Sequence, residues 1–399
     1  MSRILALVLV LAACSGGSDG ITPTDGTSSV DADGDGFFAN GGDCNDDDAS
    51  VFPSAADQVG DEVDQNCDGA DGIDADRDGF ASTDSGGPDC NDANNQFKPG
   101  ANDIGWDGID QDCDGFDRLD WKFLAAGDQH TCGINTRDAI LCWGDDDIGQ
   151  VSAAPTGTFT AIDAGEGFTC AIATDKSITC WGDDEVGQSS GAPTTGQYQT
   201  ISAGVGHACA LDTNGTAVCW GDNGDYQVSP VDSAKMKDIS AGEGFTCAVK
   251  DANGEVVCWG RDDENQVNGS PVQTGYLSVA AGKDHACGIT GILGVYCWGS
   301  NLYGQIAPAS DVGPYGELDS AQDFTCAIES GNFVRCWGKN NDGQLTVPPG
   351  TFVKVTTGWS HTCAIQAVDA TAACWGESAS GQTVVPTAPI SDTTGGTTN

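Results

Sequence analysis

Two stretches of this chain set carboxylates at every second position of a glycine-rich turn, a pattern suited to gripping a hard cation. The first reads Asp31-Ala-Asp33-Gly-Asp35-Gly36-Phe37 and the second Asp74-Ala-Asp76-Arg-Asp78-Gly79-Phe80. Each runs on to Asp-Cys-Asn-Asp, at Asp43 to Asp46 and Asp89 to Asp92, then to Cys-Asp-Gly, at Cys67 to Gly69 and Cys113 to Gly115. Calcium takes about six to eight oxygens, and alternate acidic side chains on a tight loop converge to supply them. The carbonyl of Phe37 or Phe80 can add another. This reading assigns Asp31, Asp33, Asp35, Asp43 and Asp46 as ligands in the first copy, with Asp64 and Asp68 as further candidates. Their counterparts are Asp74, Asp76, Asp78, Asp89 and Asp92, with Asp110 and Asp114 as further candidates. Oxygen donors dominate and no His lies in the block, so soft metals are disfavoured. Residues 31–117 hold few aliphatic side chains, so calcium would serve as a structural cofactor that supplies folding energy. A solvated acidic linker without a specific site is the alternative.

Taken alone, D-x-D-x-D-G resembles an EF-hand loop, but the twelfth positions are Gly42 and Ser85, where that loop needs a bidentate Glu. The longer pattern resembles the metal-binding repeat of secreted bacterial proteins and the type 3 repeats of thrombospondins. In that bacterial family another cysteine often precedes the middle Asp-Gly; here Gly60, Asp61 and Trp106 stand there instead. Cys44 and Cys67 lie 23 positions apart, as do Cys90 and Cys113, and this equal spacing argues for one disulfide in each copy.

The chain as a whole carries a formal net charge of −45. Between Asp19 and Asp120 stand 28 acidic residues against only Arg77, Lys98 and Arg118. Such a surface repels phosphate backbones, which excludes nucleic acid as a partner and favours cations or a basic protein patch. Nineteen cysteines suit an oxidising compartment. The N-terminus offers a route there: Met1-Ser-Arg3, an apolar run from Ile4 to Ala13 too short to span a bilayer, and then Cys14. Leu11-Ala12-Ala13-Cys14 resembles a bacterial lipobox, which implies cleavage before Cys14 and lipidation of its sulfur. Acyl chains contribute about 0.8 kcal/mol per buried CH₂, enough in combination to anchor a soluble domain. Ser15, rather than Asp, favours the outer membrane or cell surface. An ordinary signal peptide is the alternative.

The elements that must carry these groups follow from a repeat. Cys-Trp-Gly occurs seven times, at Trp143, Trp181, Trp220, Trp259, Trp298, Trp337 and Trp375. A constant period of this size means stacked modules that cannot bury their apolar faces alone. One module runs Ile201-Ser-Ala-Gly204 through His207-Ala-Cys209-Ala-Leu211 and Asp-Thr-Asn-Gly to Ala217-Val-Cys219-Trp220-Gly221, and its polar tetrapeptide signals a hairpin. The spacing of 10 or 11 residues could set Cys132/Cys142, Cys170/Cys180, Cys209/Cys219, Cys247/Cys258, Cys287/Cys297, Cys326/Cys336 and Cys363/Cys374 opposite one another. Zinc clusters are the rival reading, weakened because no second thiol pair lies near each pair. All four histidines, His130, His207, His285 and His361, share one slot, where the other copies carry Phe168, Phe245 and Phe324. That interchange implies a packed position with one satisfied nitrogen; a ring of metal ligands is the alternative.

The recurring Ala-Gly-x-x-His-(Thr/Ala)-Cys-Ala-(Ile/Leu), Cys-Trp-Gly and Gly-Gln resemble the regulator of chromosome condensation repeat over about 265 residues. The sixth copy departs at Gln322, read as replacing the first Gly, and Tyr226 and Asn265 replace the Gly before Gln. The resemblance implies an all-β, seven-bladed propeller with four-stranded blades around a central channel. Residues 120–126 are expected to lie beside residues 382–385 and so close the ring. The domain plan is a lipoprotein signal peptide over 1–13, a tether over 14–30, a loop-rich, calcium-stabilised acidic region over 31–117, a propeller over 118–386 and a disordered tail over 387–399. Loops after Cys-Trp-Gly are acidic in early copies, as in Asp145-Asp-Asp147, Asp183-Asp-Glu185 and Asp262-Asp-Glu264, and milder at Asn301-Leu-Tyr303 and Ser378-Ala-Ser380. A basic partner could read that asymmetry; turn chemistry explains it equally well. No catalytic constellation stands out. The expectation is a monomeric, lipid-anchored, non-enzymatic binding protein whose calcium stalk displays a propeller to a protein or ligand. The alternatives are a secreted enzyme or enzyme inhibitor on that scaffold and, last, guanine-nucleotide exchange.

Overall fold

The structure is a computed structural model describing residues 30–57, 63–69, 71–105, 107–230, 232–307 and 313–389. The expected signal peptide and tether up to residue 29, with Cys14, the tail beyond residue 389 and the positions of Gly60, Asp61 and Trp106 lie outside the described residues. Two compact units emerge: the described residues up to Asn102 with Asp110–Asp114, and Asp103–Ile109 with Gly115 onward.

The larger unit is a seven-bladed propeller of seven antiparallel three-stranded sheets. In the first blade an inner strand Trp121–Ala126 pairs with a middle strand His130–Asn135, which pairs with an outer strand Ile140–Gly144. Middle strands such as His207–Asp212 are buried along nearly their whole length, matching an uninterrupted small and apolar run. The predicted hairpin forms at Asp212–Gly215, where Asp212 Oδ1 accepts from the N–H groups of Asn214 and Thr216 at 2.8 Å each. Blades have three strands rather than the expected four. The segment after each outer strand is rich in Asp, Gly and Ser and folds into capped turns that offer no ladder.

Ring closure also differs from expectation. Residues 121–126 form the inner strand of the first blade and make no ladder with residues 382–385. Closure comes from a short pair, Phe116–Asp117 against Ala388–Pro389, and from the Trp143 indole, which donates to the Gln382 carbonyl at 2.9 Å. The other six blade tryptophans repeat that bond to the equivalent Gln carbonyl of the preceding repeat, as Trp220 does to Gln188 at 2.9 Å. The Gly of Cys-Trp-Gly is needed on two counts. At Gly221 φ is 97°, and an added Cβ would collide with the Gly206 carbonyl. Strand register also corrects the sixth copy: Ser320 pairs with Thr325 as Ala126 pairs with Thr131, so Ala321 holds the Gly slot and Gln322 follows it.

Adjacent blades are stitched by one acceptor slot on the inner strand. Ser202, Ser240 and Thr356 accept from the next blade's N–H at Ala241, Ala281 and Ala126, at 2.9–3.1 Å. Asp163 and Asp319 do the same through Oδ2 to Ala203 and Thr357, at 2.8 and 2.7 Å. Two blades place Ala125 and Ala280 in that slot and offer nothing, which would orphan the N–H groups of Ala164 and Ser320. Those are the groups that Asp163 and Asp319 satisfy through their second oxygen, at 3.1 and 2.9 Å. The two buried carboxyls therefore repair the two gaps in the ring.

The histidine slot obeys a similar complementarity in six of the seven blades, the exception being Phe324 opposite Thr362. Each imidazole is fully buried, and its Nε2 meets a threonine hydroxyl of the next blade: His130 with Thr169, His207 with Thr246, His285 with Thr325 and His361 with Thr131, at 2.7–2.9 Å. Phe168 and Phe245 stand where the next blade offers Ala208 and Ala286 instead. The slot is packing, not a metal ring. Burial holds His130, His207 and His285 down to about 4 and His361 to about 3. The unfolded chain, with imidazoles near 6.5, takes up protons that the fold refuses, so stability present above pH 6.5 is lost as pH falls toward 4. Burial raises Asp163 to about 7 and Asp238 and Asp319 to about 6; their contribution is present at low pH and lost as pH rises through those values. His207→Phe copies the sixth blade, where Phe324 faces Thr362 and that hydroxyl donates to the Gln344 carbonyl at 3.0 Å. The variant is expected to remove about 2 kcal/mol of acid sensitivity near pH 5, seen as a smaller drop in melting temperature between neutral pH and pH 5. An unchanged drop would refute the titration argument.

Candidate metal centres and the propeller channel

Each acidic triplet wraps its own backbone. Asp31 accepts from Gly34 N and Gly36 N at 2.6 and 3.0 Å, and Asp74 accepts from Arg77 N and Gly79 N at 2.6 and 2.9 Å. The wrap needs left-handed residues, supplied by Gly34 at φ 86° and by Arg77 at φ 63°. One carboxylate oxygen from each of Asp31, Asp33 and Asp35 lies within 4.8 Å of the others, and the same holds for Asp74, Asp76 and Asp78. Asp46 and Asp92 reach back to the N–H groups of Ala32 and Ala75, at 3.3 and 2.6 Å. Asp43 and Asp89 are buried, and their Oδ1 atoms accept from Asn45 and Asn91 at 2.8 Å each.

What these loops leave undone points to a ligand. Buried carboxylate oxygens without a hydrogen-bond donor include Oδ2 of Asp33, Asp35 and Asp43 in the first copy. The second copy repeats them at Asp78 Oδ2, Asp89 Oδ2 and both oxygens of Asp76. Buried charge without a partner is costly, and the same unmet need arising twice at equivalent positions fits a cation held by oxygens. Burial first, and then the neighbouring carboxylates, raise Asp33, Asp76 and Asp89 above the usual carboxylate range.

Asp64, Asp68, Asp110 and Asp114 belong to second loops with a different state. Asp64 accepts from Asp68 N and Gly69 N at 3.1 and 3.0 Å, and Asp68 from Asp74 N at 2.9 Å. Sequence reasoning missed Asp57, whose carboxylate lies within 4.8 Å of Asp64 and Asp68, and Asp112, which joins Asp110 and Asp114. A signal existed: Asp64-Gln-Asn66-Cys-Asp68-Gly69 and Asp110-Gln-Asp112-Cys-Asp114-Gly115 repeat the D-x-(D/N)-x-D-G hexapeptide with Cys in its fourth position. Cys44–Cys67 and Cys90–Cys113 are disulfides, so their sulfurs are not thiolate ligands.

In the propeller all fourteen blade cysteines pair within their own hairpins. The bridges are Cys132–Cys142, Cys170–Cys180, Cys209–Cys219, Cys247–Cys258, Cys287–Cys297, Cys326–Cys336 and Cys363–Cys374, with Cα atoms 4.0–4.1 Å apart. In every blade the two partners stand directly opposite in the ladder, so the spacing of 10 or 11 residues does place them face to face. Zinc clusters are thereby overturned, because oxidised sulfurs offer no thiolate. The two partners differ in environment, which spacing alone did not reveal. The middle-strand member is fully buried in each pair. On the outer strand Cys258 and Cys297 are buried, whereas Cys142, Cys180, Cys219, Cys336 and Cys374 are half-buried. The outer strand is the edge of its sheet, with no further strand beyond it.

A channel runs along the blade axis. Its mouth is lined by Glu166, Glu243, Lys283 and Trp359 among others, and Asp163 and Asp319 also line a second cavity of about 220 Å³ with Glu317 and Lys354. Burial raises Glu166, with the charge of Asp128 adding to it. Opposite sit cations: Glu243 takes Arg261 at 3.2 Å and Lys283 at 3.6 Å, and Arg261 also meets Asp284. The acidic turns are largely structural, since Asp146, Asp184 and Asp262 each cap two following N–H groups at 2.8–3.1 Å. Exposed Ile148 and Val186 sit in two of those turns, and Tyr226, Leu302 and Tyr303 in the equivalent turns of other blades.

A cation-fitted acidic repeat and a disulfide-locked propeller define the class, and comparison with known proteins agrees. Five segments, 121–150, 159–188, 198–227, 236–266 and 277–305, match the profile described as "Regulator of chromosome condensation (RCC1) repeat". Residues 43–74 and 89–117 match the profile described as "Putative metal-binding motif". No curated protein sequence matches the chain. Similar solved structures include the entire ectodomain of the Physcomitrella patens receptor kinase CR4, at 24% identity over 65% of this chain and 74% of that one, with a TM-score of 0.57. The CRINKLY WD40 ectodomain of the Arabidopsis thaliana receptor kinase ACR4 is 24% identical over 65% and 96%, with a TM-score of 0.56. Prp20p from Saccharomyces cerevisiae is 15% identical over 59% and 80%, with a TM-score of 0.51. Among the described residues no helix is long and apolar enough to cross a membrane.

Proposed function

We propose that this is an exported, lipid-anchored recognition protein in which a calcium-stabilised acidic stalk carries a disulfide-locked propeller that binds a protein or ligand. The observation that carries this reading is the division of labour within the ring. Its buried polar slots, the Trp–Gln, His–Thr and carboxyl–amide contacts, serve assembly, whereas exposed apolar side chains stand beside acidic ones near the channel mouth. Ile148 and Val186 lie beside Gly167 and Gly206, next to the glutamate and glycine turns that frame the channel mouth. That face combines exposed apolar and aromatic side chains with acidic ones, the composition of a recognition surface. The receptor ectodomains share the fold, and their use of it outside a cell supports the reading by analogy. Nine disulfides fit an oxidising compartment, and all-oxygen donor sets favour calcium over softer ions.

Anchoring has its own test. Cys14→Ser is expected to move the protein from the membrane to the soluble fraction and to abolish the lipid-bearing N-terminal peptide in mass spectra; unchanged fractionation refutes lipidation. Recognition is tested by immobilising the mature chain and passing the organism's envelope extract over it. Retention of a defined partner, lost on charge reversal at Glu166 and Glu243, supports the binding face, and retention indifferent to that face refutes it.

A further inference from the structure

The two triplet loops are not equivalent: Arg77 stands where the first has Gly34, and one further side chain packed on the loop differs in charge. Phe52 and Lys98 occupy the same place in the two copies. Each is 46 positions from its counterpart, like the paired cysteines, and their backbone N–H groups donate to the carbonyls of Gln65 and Gln111 at 2.8 and 2.9 Å. In the first copy Phe52 stacks flat on Phe37, with ring centroids 5.3 Å apart and planes 10° from parallel. In the second, Lys98 instead lays its ammonium over the Phe80 ring at 6.0 Å. From there Nζ donates to the Asp78 carbonyl at 3.3 Å and lies 4.0 Å from Asp78 Oδ2, one of the buried oxygens lacking a donor. Arg77 adds a second positive charge to this loop, whereas residues 30–69 contain no Lys or Arg.

We infer that the two cation sites have unequal affinity because Lys98 is a tethered competitor at the second. The inference rests on the calcium reading above. An ion entering the first loop meets only oxygens and an apolar stack. An ion entering the second must share Asp78 with an ammonium group or displace it, which adds like-charge repulsion and the loss of an ion pair. The first site therefore fills at low calcium and the second only at higher calcium, making the second loop the part of the acidic repeat that responds to ambient ion concentration.

The experiment is calorimetric titration of the mature full chain with calcium chloride. Two classes of site are expected, separated by about tenfold or more. Asp33→Asn should remove the tight class and Asp76→Asn the weak one. Lys98→Phe is expected to bring the weak constant to within about threefold of the tight one, and Phe52→Lys to weaken the tight class. Lys98→Met, which keeps the stem packed on Phe80 while removing the charge, guards against a packing artefact. Equal sites in the unaltered protein, or a weak constant unmoved by both Lys98 variants, overturn the inference while leaving calcium binding intact. No calcium uptake at all overturns the calcium reading itself, and this inference with it.

Discussion

Chelation of divalent cations with EDTA is expected to unfold the acidic region, residues 31–117 in the sequence reading, while the blades stay folded. The expectation rests on what the acidic unit lacks. Among the described residues between Val30 and Asp114 the buried apolar ones are Val51 and Ala81, far short of a core. Two disulfides close its loops and the carboxylates cap its turns, but neither neutralises the buried oxygens of Asp33, Asp35, Asp43, Asp76, Asp78 and Asp89. Stripped of a counter-ion, these groups repel one another across a few ångströms, and opening the loops to water relieves them. Hydrogen exchange should show near-complete loss of protection there, with unchanged exchange in middle strands such as His207–Asp212. Asp89→Asn, at a fully buried carboxyl, should lower calcium affinity and shift the same transition toward lower EDTA concentration. Protection that is identical with and without calcium would falsify the structural role of the ion.

Much of this architecture was legible in the sequence because repetition amplifies weak signals. Cys-Trp-Gly announces seven modules, and the function of each motif residue then emerges in the fold: Trp donates to a neighbour's carbonyl, Gly permits a left-handed turn, and Gln folds its side chain back on its own turn. What stayed hidden depends on partners distant in the chain. His130 and Phe168 alternate for a reason that becomes visible only when Thr169 and Ala208 of the following blades are seen beside them. Asp163 and Asp319 read as ordinary strand residues until Ala125 and Ala280 leave gaps that they fill. The channel mouth likewise gathers single residues from many blades, with no local pattern to mark them. In the acidic unit the triplets were plain, whereas Asp57 was missed because it comes from a separate stretch before the Asp64 loop. The fourth strand expected of each blade was borrowed from a resemblance, and the turn-rich segments after Gly144 and its counterparts do not support it.

Deleting a single blade's bridge is expected to destabilise several blades, because the core lies between them. Phe168, Cys170 and Ile172 of the second blade pack with Ile201, Ala208 and Trp220 of the third in one apolar cluster, and the next interface repeats the arrangement with Cys209, Leu211, Ile239 and Trp259. Every middle-strand cysteine is fully buried, so the sulfur both cross-links a hairpin and fills its share of that interface. Replacing Cys209 and Cys219 together by Ala removes a loop closure worth about 3 kcal/mol in the chain-entropy account. It also leaves a void where the sulfurs stood, so the total loss is on the order of 3–5 kcal/mol. A propeller cannot melt one blade in isolation, since each blade's apolar face is covered only by its neighbours. Hydrogen exchange should therefore rise in the strands Phe168–Ala173 and Phe245–Lys250 as well as in the altered hairpin. Accessibility sets a further contrast: Cys44 and Cys90 are exposed, so mild reductant should open the two bridges of the acidic unit before any blade bridge. Alkylation and mass spectrometry order these events directly. A double variant that melts with the parent protein, or blade thiols that appear first, would show that closure and packing hold the ring without its sulfur bridges.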